Sequence, residues 1–507
     1  MNVWDRIVLA VAPRAGLDRL RARAAAQVLT SRNYEAASRG RRTSGWARSR
    51  ADVNAVLARA APEIRMHARD LVRNNGWAKK AQRVIANNTT GGWGLTPRAI
   101  GPEAAKAMEL WTAWADAPTC DAEGMRPFSA IQHQVMRAFV TDGEVLVRRR
   151  RRRPSDGLPV PLQLQLLEAD FIDSAKEAVR GAAGGPIIQG VEFDSIGRRA
   201  AYWLFSDHPG STRPKAESKR VPAADVLHVF EPERPGQVRG ISTFGAGIVP
   251  LKDLDEYEDA ELMKQKIAAC FAAFVVDPQG SGSMALGATN AKEPLVEQLE
   301  PGMVHHLTPG QDVTFGTPPQ VTNDAFTVRN LRKIAAALGV TYEDLTGDYS
   351  QVNFSSARMS RIAHWGNVRN WQWNMLVPQL CQGVWAWAMD AAVLAGDLQV
   401  VPASEWTAPP MPMIEPDKEG LAYSRLVRNG VMTFSDVVRE QGGDPDTHFA
   451  GYAEDLKRLD ALGIVLDSDV RAVSAAGLTQ ERVGMTAAKE KSEERMLALA
   501  EEIIRGG

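Results

Sequence analysis

The chain contains only 3 cysteines in 507 residues. Cys120, Cys270 and Cys381 lie far apart, and none belongs to a CxxC pair. This excludes a disulfide framework and a cysteine-based structural zinc, and it suits a reducing compartment. Long apolar runs are also missing. The longest, "IAACFAAFVV" from Ile267 to Val276, is well short of the ~18 residues a membrane span needs, so no membrane partner is expected. The opening "MNVWDRIVLAVAPRAG" has an acid and an arginine inside its apolar part, which argues against a signal peptide. No G-x-x-x-x-G-K-[ST] phosphate loop occurs, and no G-x-G-x-x-G follows a strand, so ATP hydrolysis by the usual route is not expected. HExxH and GxSxG are absent as well. The 8 histidines fall at no metal-ligand spacing, and His305 and His306 would face opposite sides of a strand. The reading is therefore of a protein with no catalytic residue, no metal and no cofactor.

What is present is ordinary for a folded protein of several lobes, at 44% hydrophobic and 24% charged residues. The net charge of −1 hides an asymmetry, with arginine concentrated in the first hundred residues and acids in the last hundred. A basic arm suits nucleic acid or, as the plainer reading, a solvated arm docking on neighbouring subunits.

Along the chain, "APEIRMHARDLVRNNGWAKKAQRVIANNTTGGWG" reads as two helices broken at Asn74–Gly76, with Pro62 in the first turn. "FSAIQHQVMRAFVTDG" reads as a helix ended by Gly143. "EVLVRRR" and "PLQLQLLEA" alternate as a hairpin, and "IIQGVEFDSIGRRAAYWLF" as another. The arginines Arg148 to Arg153 suit either a phosphate contact or, more plainly, a charged edge strand with a solvated tip. Asp225, His228, Glu231, Glu233 and Arg234 in "ADVLHVFEPERPGQVRG" suggest a nuclease at first sight. No carboxylate pair with a positioned lysine follows, so a turn held by charge pairs and prolines is the better reading. A helix from Leu251 to Val275 would span roughly 37 Å. Acids ring its first half, so it must share its faces with water and neighbouring copies. Trp365, Trp371, Trp373, Trp385 and Trp387 on one long helical pattern are expected to pack. Between helices, "DLTGDYSQVNFSSARMS" from Asp344 to Ser360 is longer than the ~2–8 residues usual for such a turn. Its Tyr349 and Phe354 look displayed rather than buried.

Several of these segments together resemble the lambda-type family of tailed-phage portal proteins. The residues that carry the resemblance are "HARDLVRNNGWAKKA" with "NNTTGGWGL", "TDGEVLVRRR" with "LQLLEADFID", "GVEFDSIGRRAAYWL", "RVPAADVLHVFEPERPGQVRGIS", "DLDEYEDAELMKQKIAACFAAFV" and "NFSSARMSRIAHW". A weaker match is "IEPDKEGLAYSRLVRNGVMTFSDVVREQGGDPD". In order and spacing they cover about Asn33 to about Asp446.

The resemblance implies an α+β portal fold and a homo-oligomeric ring of twelve subunits at one capsid vertex of the virion, assembled in the host cytoplasm. Double-stranded DNA would pass through its channel without sequence preference. The large terminase subunit, head–tail connector proteins and the major capsid protein would be its partners. It also implies a division of the chain: 1–60 a basic arm, 61–240 an α/β wing, 241–276 a first stem helix and 277–322 a clip. Then follow 323–340 as a second stem helix, 341–354 as a tunnel loop, 355–400 as a Trp-rich helix and 401–507 as a helical crown. On that division Asp348, Tyr349, Gln351, Asn353 and Phe354 meet DNA in the channel, Glu256, Asp259 and Glu261 line the stem, and Gly280, Ser283, Met284 and Thr289 dock partners at the clip. The rival readings are a capsid-interior scaffold or minor head protein, and a DNA-processing nuclease.

Overall fold

Helix and strand alternate along the chain in the order expected of a mixed α+β protein. The computed structural model describes residues 50–212, 217–269, 273–276, 312–315, 324–464, 466 and 469. For 267–269, 273–276, 312–315, Asp324 and Phe354 it describes the backbone alone. The chain divides into two units after Val56, and the fold is built by the unit that begins at Leu57.

Helix α1 (Val53–Asn74) and helix α2 (Gly76–Thr90) are separated at Asn75, whose side chain caps α2 by accepting from the Ala78 N–H. Pro62, expected in a first turn, lies inside α1, because the alanine-rich "AVLARAA" before it sustains the helix. Strand β1 (Thr96–Ile100), helix α3 (Ala104–Ala115) and helix α4 (Phe128–Asp142) follow. On α4, Ile131, Val135, Met136, Phe139 and Val140 are buried at helical spacing. Gly143 ends it in the left-handed conformation, with φ 85°.

Strands β2 (Glu144–Arg151) and β3 (Leu162–Glu168) form the first expected hairpin. Strands β4 (Gly184–Ile188), β5 (Val191–Asp194), β6 (Arg199–Leu204) and β7 (Lys219–Pro222) form a four-stranded antiparallel meander. Strand β8 (Val226–Phe230) then returns to β2, giving a sheet of order β3-β2-β8. The arginine-bearing strand is thus central, not an edge. Its hydrophobic start (Val145, Leu146, Val147) is covered on both sides, which is what places it there.

Helix α5 (Ile248–Ala269) is shorter than the sequence pattern suggested. The segment rich in aromatic and β-branched residues after it, Ala273–Val276, is strand β9, paired antiparallel with β10 (Asp312–Phe315). Helix α6 (Asp324–Leu338) returns, followed by a five-residue helix α7 (Tyr342–Thr346) and helix α8 (Phe354–Asn370). The expected long Trp-rich helix is three pieces: α8, a π-helical stretch Trp371–Cys381, and α9 (Gln382–Ala395). Pro378 lies in the π-helical stretch. It has no N–H and would clash with the carbonyl of the preceding turn, and the wider turn relieves both. Strand β11 (Ala403–Thr407) pairs with β1, and helices α10 (Pro416–Arg428), α11 (Phe434–Glu440) and α12 (Pro445–Leu462) complete the described chain.

The main core joins α2, α4, β2, β3 and the tryptophans. Trp111 is its hub, with ring centroids 5.2 Å from Trp385, 5.3 Å from Phe128 and 5.9 Å from Trp406. Trp365, Trp371, Trp385 and Trp387 are buried as expected, whereas Trp373 is 47% exposed. Buried indoles need an acceptor for their N–H. Trp371, Trp385 and Trp387 find theirs in Glu231, the Pro402 carbonyl and the Ala224 carbonyl. Among the described residues no helix is long and apolar enough to cross a membrane.

Candidate functional site

Helices α5 and α6 run antiparallel. At one end Gly247 approaches the Leu338 side chain, and farther along the Tyr257 and Phe326 rings lie 4.5 Å apart. The antiparallel β9–β10 pair lies beyond them along the chain. Leu251 and Leu254 anchor the first turns of α5 in the core, and past them the helix turns polar. Asp255 accepts from the Asn75 amide at 2.7 Å. Burial, together with the charges of Asp255 and Asp259, raises the Glu258 carboxyl against a hydrogen bond from Trp77. Of the acids expected to line a channel, Glu256 and Asp259 are exposed, and Glu256 pairs with Lys252 at 3.5 Å. Glu261 is half-buried and paired with Lys264 at 3.4 Å. Exposed Leu262 and Met263 sit among these charges.

The connection after α6 is more ordered than its composition suggested. Thr341 caps α7, and Gly347 ends it at φ 75°, so the open loop is confined to 347–353. The Asp348 carboxylate accepts from the Ser350 N–H at 2.9 Å and from the Tyr342 hydroxyl at 3.3 Å. The Ser350 hydroxyl and N–H hold it below the usual carboxylate range. Asn353 is the N-cap of α8, accepting from the Ser356 N–H at 2.9 Å. Phe354, read from sequence as a loop residue, opens α8. Tyr349 is 57% exposed and Gln351 is exposed. Among the described residues, Tyr349 and Gln351 have no side-chain partner, and they lie between two residues that build the turns of the loop. Gly280, Ser283, Met284 and Thr289 lie outside the described residues.

Sequence reasoning missed the densest polar centre of the fold. Glu144, at the start of β2, is buried and receives Arg239 at 2.6 Å, Arg65 at 3.0 Å, His228 at 2.9 Å and the Gly240 N–H at 2.8 Å. Arg65 also reaches Asp170 at 3.1 Å, and Arg69 joins Asp142 at 2.7 Å to Asp170 at 2.6 Å. Burial opposes ionisation of Glu144, but the Arg239 charge and the His228 hydrogen bond hold its carboxyl well below the usual range. His228 is pushed down to about 4 by burial, although Glu144 favours its charged form. The geometry agrees with a neutral ring. Arg199 donates to Nδ1 at 2.8 Å, so that nitrogen carries the lone pair and Nε2–H faces Glu144.

Three members of the nuclease-like cluster hold the fold together, whereas Glu233 and Arg234 are exposed. Asp225 binds Arg149 and Arg151, His228 binds Glu144, and Glu231 binds Asn370 and Trp371. Each is committed to joining one element to another. Ligand atoms of Glu168, Asp170 and His208 do converge within 4.8 Å. Arg69 Nη2, however, already lies 3.0 Å from Glu168 and 2.6 Å from Asp170, so the positive charge there belongs to the protein. The signal in the sequence was the polar content of "TDGE" and "GQVRG". Nothing in their spacing pairs them.

Residues 39–372 match the family described as "Phage portal protein, lambda family". The chain belongs to the lambda family of phage portal proteins. A "Probable portal protein" of Halomonas phage phiHAP-1 is 28% identical over 465 residues, covering 86% of this chain and 88% of the relative. "Portal protein B" of Escherichia phage lambda is 24% identical, covering 90% and 94% respectively. A solved structure titled "Neck of native GTA particle computed with C12 symmetry" aligns with a TM-score of 0.46 at 16% identity, covering 75% of this chain and 94% of that one. The portal-family match includes the Glu144 centre, the α5–α6 pair and the loop 347–353, and it ends in the π-helical stretch.

Proposed function

We propose that this portal-family chain assembles into a closed ring of twelve copies at one capsid vertex, with α5 and α6 as the stem around a channel for double-stranded DNA. The observation that carries the reading is α5 itself. None of its described side chains is fully buried after Leu254, and it exposes acids and apolar residues together, an arrangement that needs neighbouring copies on some faces and water on others. Exposed acids suit a channel through which DNA slides, because each lysine or arginine bound to phosphate adds sequence-independent affinity that would act as a brake. Helices α10 and α11 bury no residue within the subunit and expose Leu421 and Phe434, which suits a crown packed against its neighbours. The α/β body up to about 240 would be the wing, and 277–322 the clip that meets the large terminase subunit and then the connector proteins. The role is structural: the ring conducts DNA that a separate motor drives, within the virion and against the major capsid protein.

Purified protein should form rings with a central hole in negative stain. A clean monomer by mass photometry, at high concentration and across salt conditions, would sink the proposal. The loop 347–353 is the segment we place against the moving duplex. Tyr349→Ala with Gln351→Ala should leave rings and terminase ATPase intact while shortening the DNA retained in particles, since neither side chain holds the fold. Asn353→Ala is a poorer probe, because removing the cap costs about 1 kcal/mol at the start of α8. Asn353→Asp keeps the cap. Full-length DNA in the double variant would show that the loop is only a connector between helices.

A further inference from the structure

We propose that the face of β2 carrying Arg148 and Arg150, continued by Arg152 just past the end of the strand, binds the phosphate backbone of duplex DNA, at a surface separate from the stem and the loop. Alternate residues of a strand point to the same side, so Arg148 to Arg151 of β2 separate into two sets, and Arg152 just beyond the strand follows Arg148 and Arg150. Arg149 and Arg151 share Asp225, and Arg149 also lies over the Trp387 ring. Their charge is answered within the fold.

The other set is arranged differently. Arg150 Nε donates to Gln165 Oε1 at 2.8 Å, and Arg152 Nε donates to Gln163 Oε1 at 2.7 Å. Gln163 is itself fixed by the Thr119 and Asp121 carbonyls. Neutral amides thus hold each guanidinium by its inner nitrogen. Among the described residues the terminal nitrogens of Arg150 and Arg152 have no hydrogen-bond partner, and Arg148 makes no side-chain hydrogen bond. Among the described residues none of the three pairs with a carboxylate. Burial and the charges of Arg148 and Arg152 push the Arg150 guanidinium down, which is the mark of like charges stacked without an answering acid. Such a ladder opposes folding unless an outside anion answers it.

Two free terminal nitrogens on a planar fork match the oxygens of a phosphate. Residues two apart on a strand are about 6.8 Å apart. That spacing lets successive arginines of the ladder reach separate phosphates along one DNA strand. The choice of duplex DNA over an acidic protein segment rests on the channel reading, and the test separates the two.

The triple variant R148Q/R150Q/R152Q should bind non-specific duplex DNA more weakly by fluorescence polarisation. Three lost phosphate contacts at about 0.9 each should reduce the slope of log affinity against log salt by about 2.7. The ratio of wild-type to variant affinity should then shrink about fortyfold between 50 and 200 mM salt. A control that removes equal charge from α2, K79Q/K80Q/R83Q, should change the slope by less than one unit. An equal effect in the control would reduce the ladder to net charge and overturn the proposal. So would a triple variant that loses binding to polyglutamate while keeping duplex affinity. The melting temperature should stay level or rise, because adjacent like charges are removed. If the triple variant melts lower, the exposed single variant R152Q carries the test, with a slope change of about 0.9 expected and none overturning the ladder. Imaging the same samples keeps the two readings apart. An unchanged slope with intact rings ends the ladder and leaves the channel standing, whereas a missing ring bears on the channel alone.

Discussion

Replacing Glu144 by alanine should strongly destabilise the α/β body. The substitution strips Glu144 from Arg239, Arg65 and His228 at once; Arg65 keeps Asp170, but the Arg239 charge stays buried with only carbonyls to receive it. Breaking a buried ion pair from one side costs about 3–5 kcal/mol, a large part of the 5–15 kcal/mol by which domains are stable. Glu144→Gln should be milder, since an amide can still receive one or two of the donors, yet it removes the charge that answers Arg239. Thermal melting followed by circular dichroism measures both. A Glu144→Ala protein that melts within a degree or two of wild type would show that the network contributes little.

The same centre predicts how stability depends on pH. His228 has a folded value of about 4 against an ordinary 6.5, so the unfolded chain takes up a proton in that interval and the folded chain does not. The contribution is fully present above 6.5 and is lost progressively as pH falls towards 4. Glu144 is also depressed, so its contribution disappears only at still lower pH. The melting temperature should therefore fall between pH 7 and pH 4.5, and His228→Gln should flatten that fall. A wild-type profile already flat across the interval would contradict a neutral buried imidazole.

Gly143→Ala should be as damaging, for a different reason. At φ 85° the residue lies in the left-handed region, which costs about 1–2 kcal/mol for a side chain. The added carbon would also overlap the backbone of Ile241 and Ser242. Those atoms belong to main chain pinned beside Gly240, where a Cβ would in turn strike Gly143 and Glu144. Neither segment can retreat without pulling the Gly240 N–H off Glu144. A loss of about 4 kcal/mol or more is expected, the range in which single substitutions unfold proteins. Gly347→Ala is the control. Its φ of 75° is similar, but nothing lies within 4 Å of the added carbon, so only the conformational cost of about 1–2 kcal/mol applies. Equal melting temperatures for the two variants would show that close approach of the backbones is not what matters at Gly143.

What the sequence determined by itself is local or is an absence. The breaks at Asn75 and Gly143, the two hairpins and the packing role of most of the tryptophans follow from capping, turn chemistry and periodicity, which act over a few residues. The missing phosphate loop and missing catalytic motifs could be read the same way, and the ordered strings from "HARDLVRNNGWAKKA" to "NFSSARMSRIAHW" were enough to indicate the portal family. Only the tertiary structure decided where those pieces meet. Glu144 finds Arg65, His228 and Arg239 across separations of 79, 84 and 95 residues, and a period of two or 3.6 carries no information over such distances. The arginine strand looked like an edge because its charges suggested water; β8 returning to its open side made it central. The long Trp-rich helix contains a π-helical stretch around Pro378. A proline inside a helix removes a hydrogen bond, and only the structure shows that the chain stays helical through it by a wider turn, with Trp371 and Trp385 buried on either side.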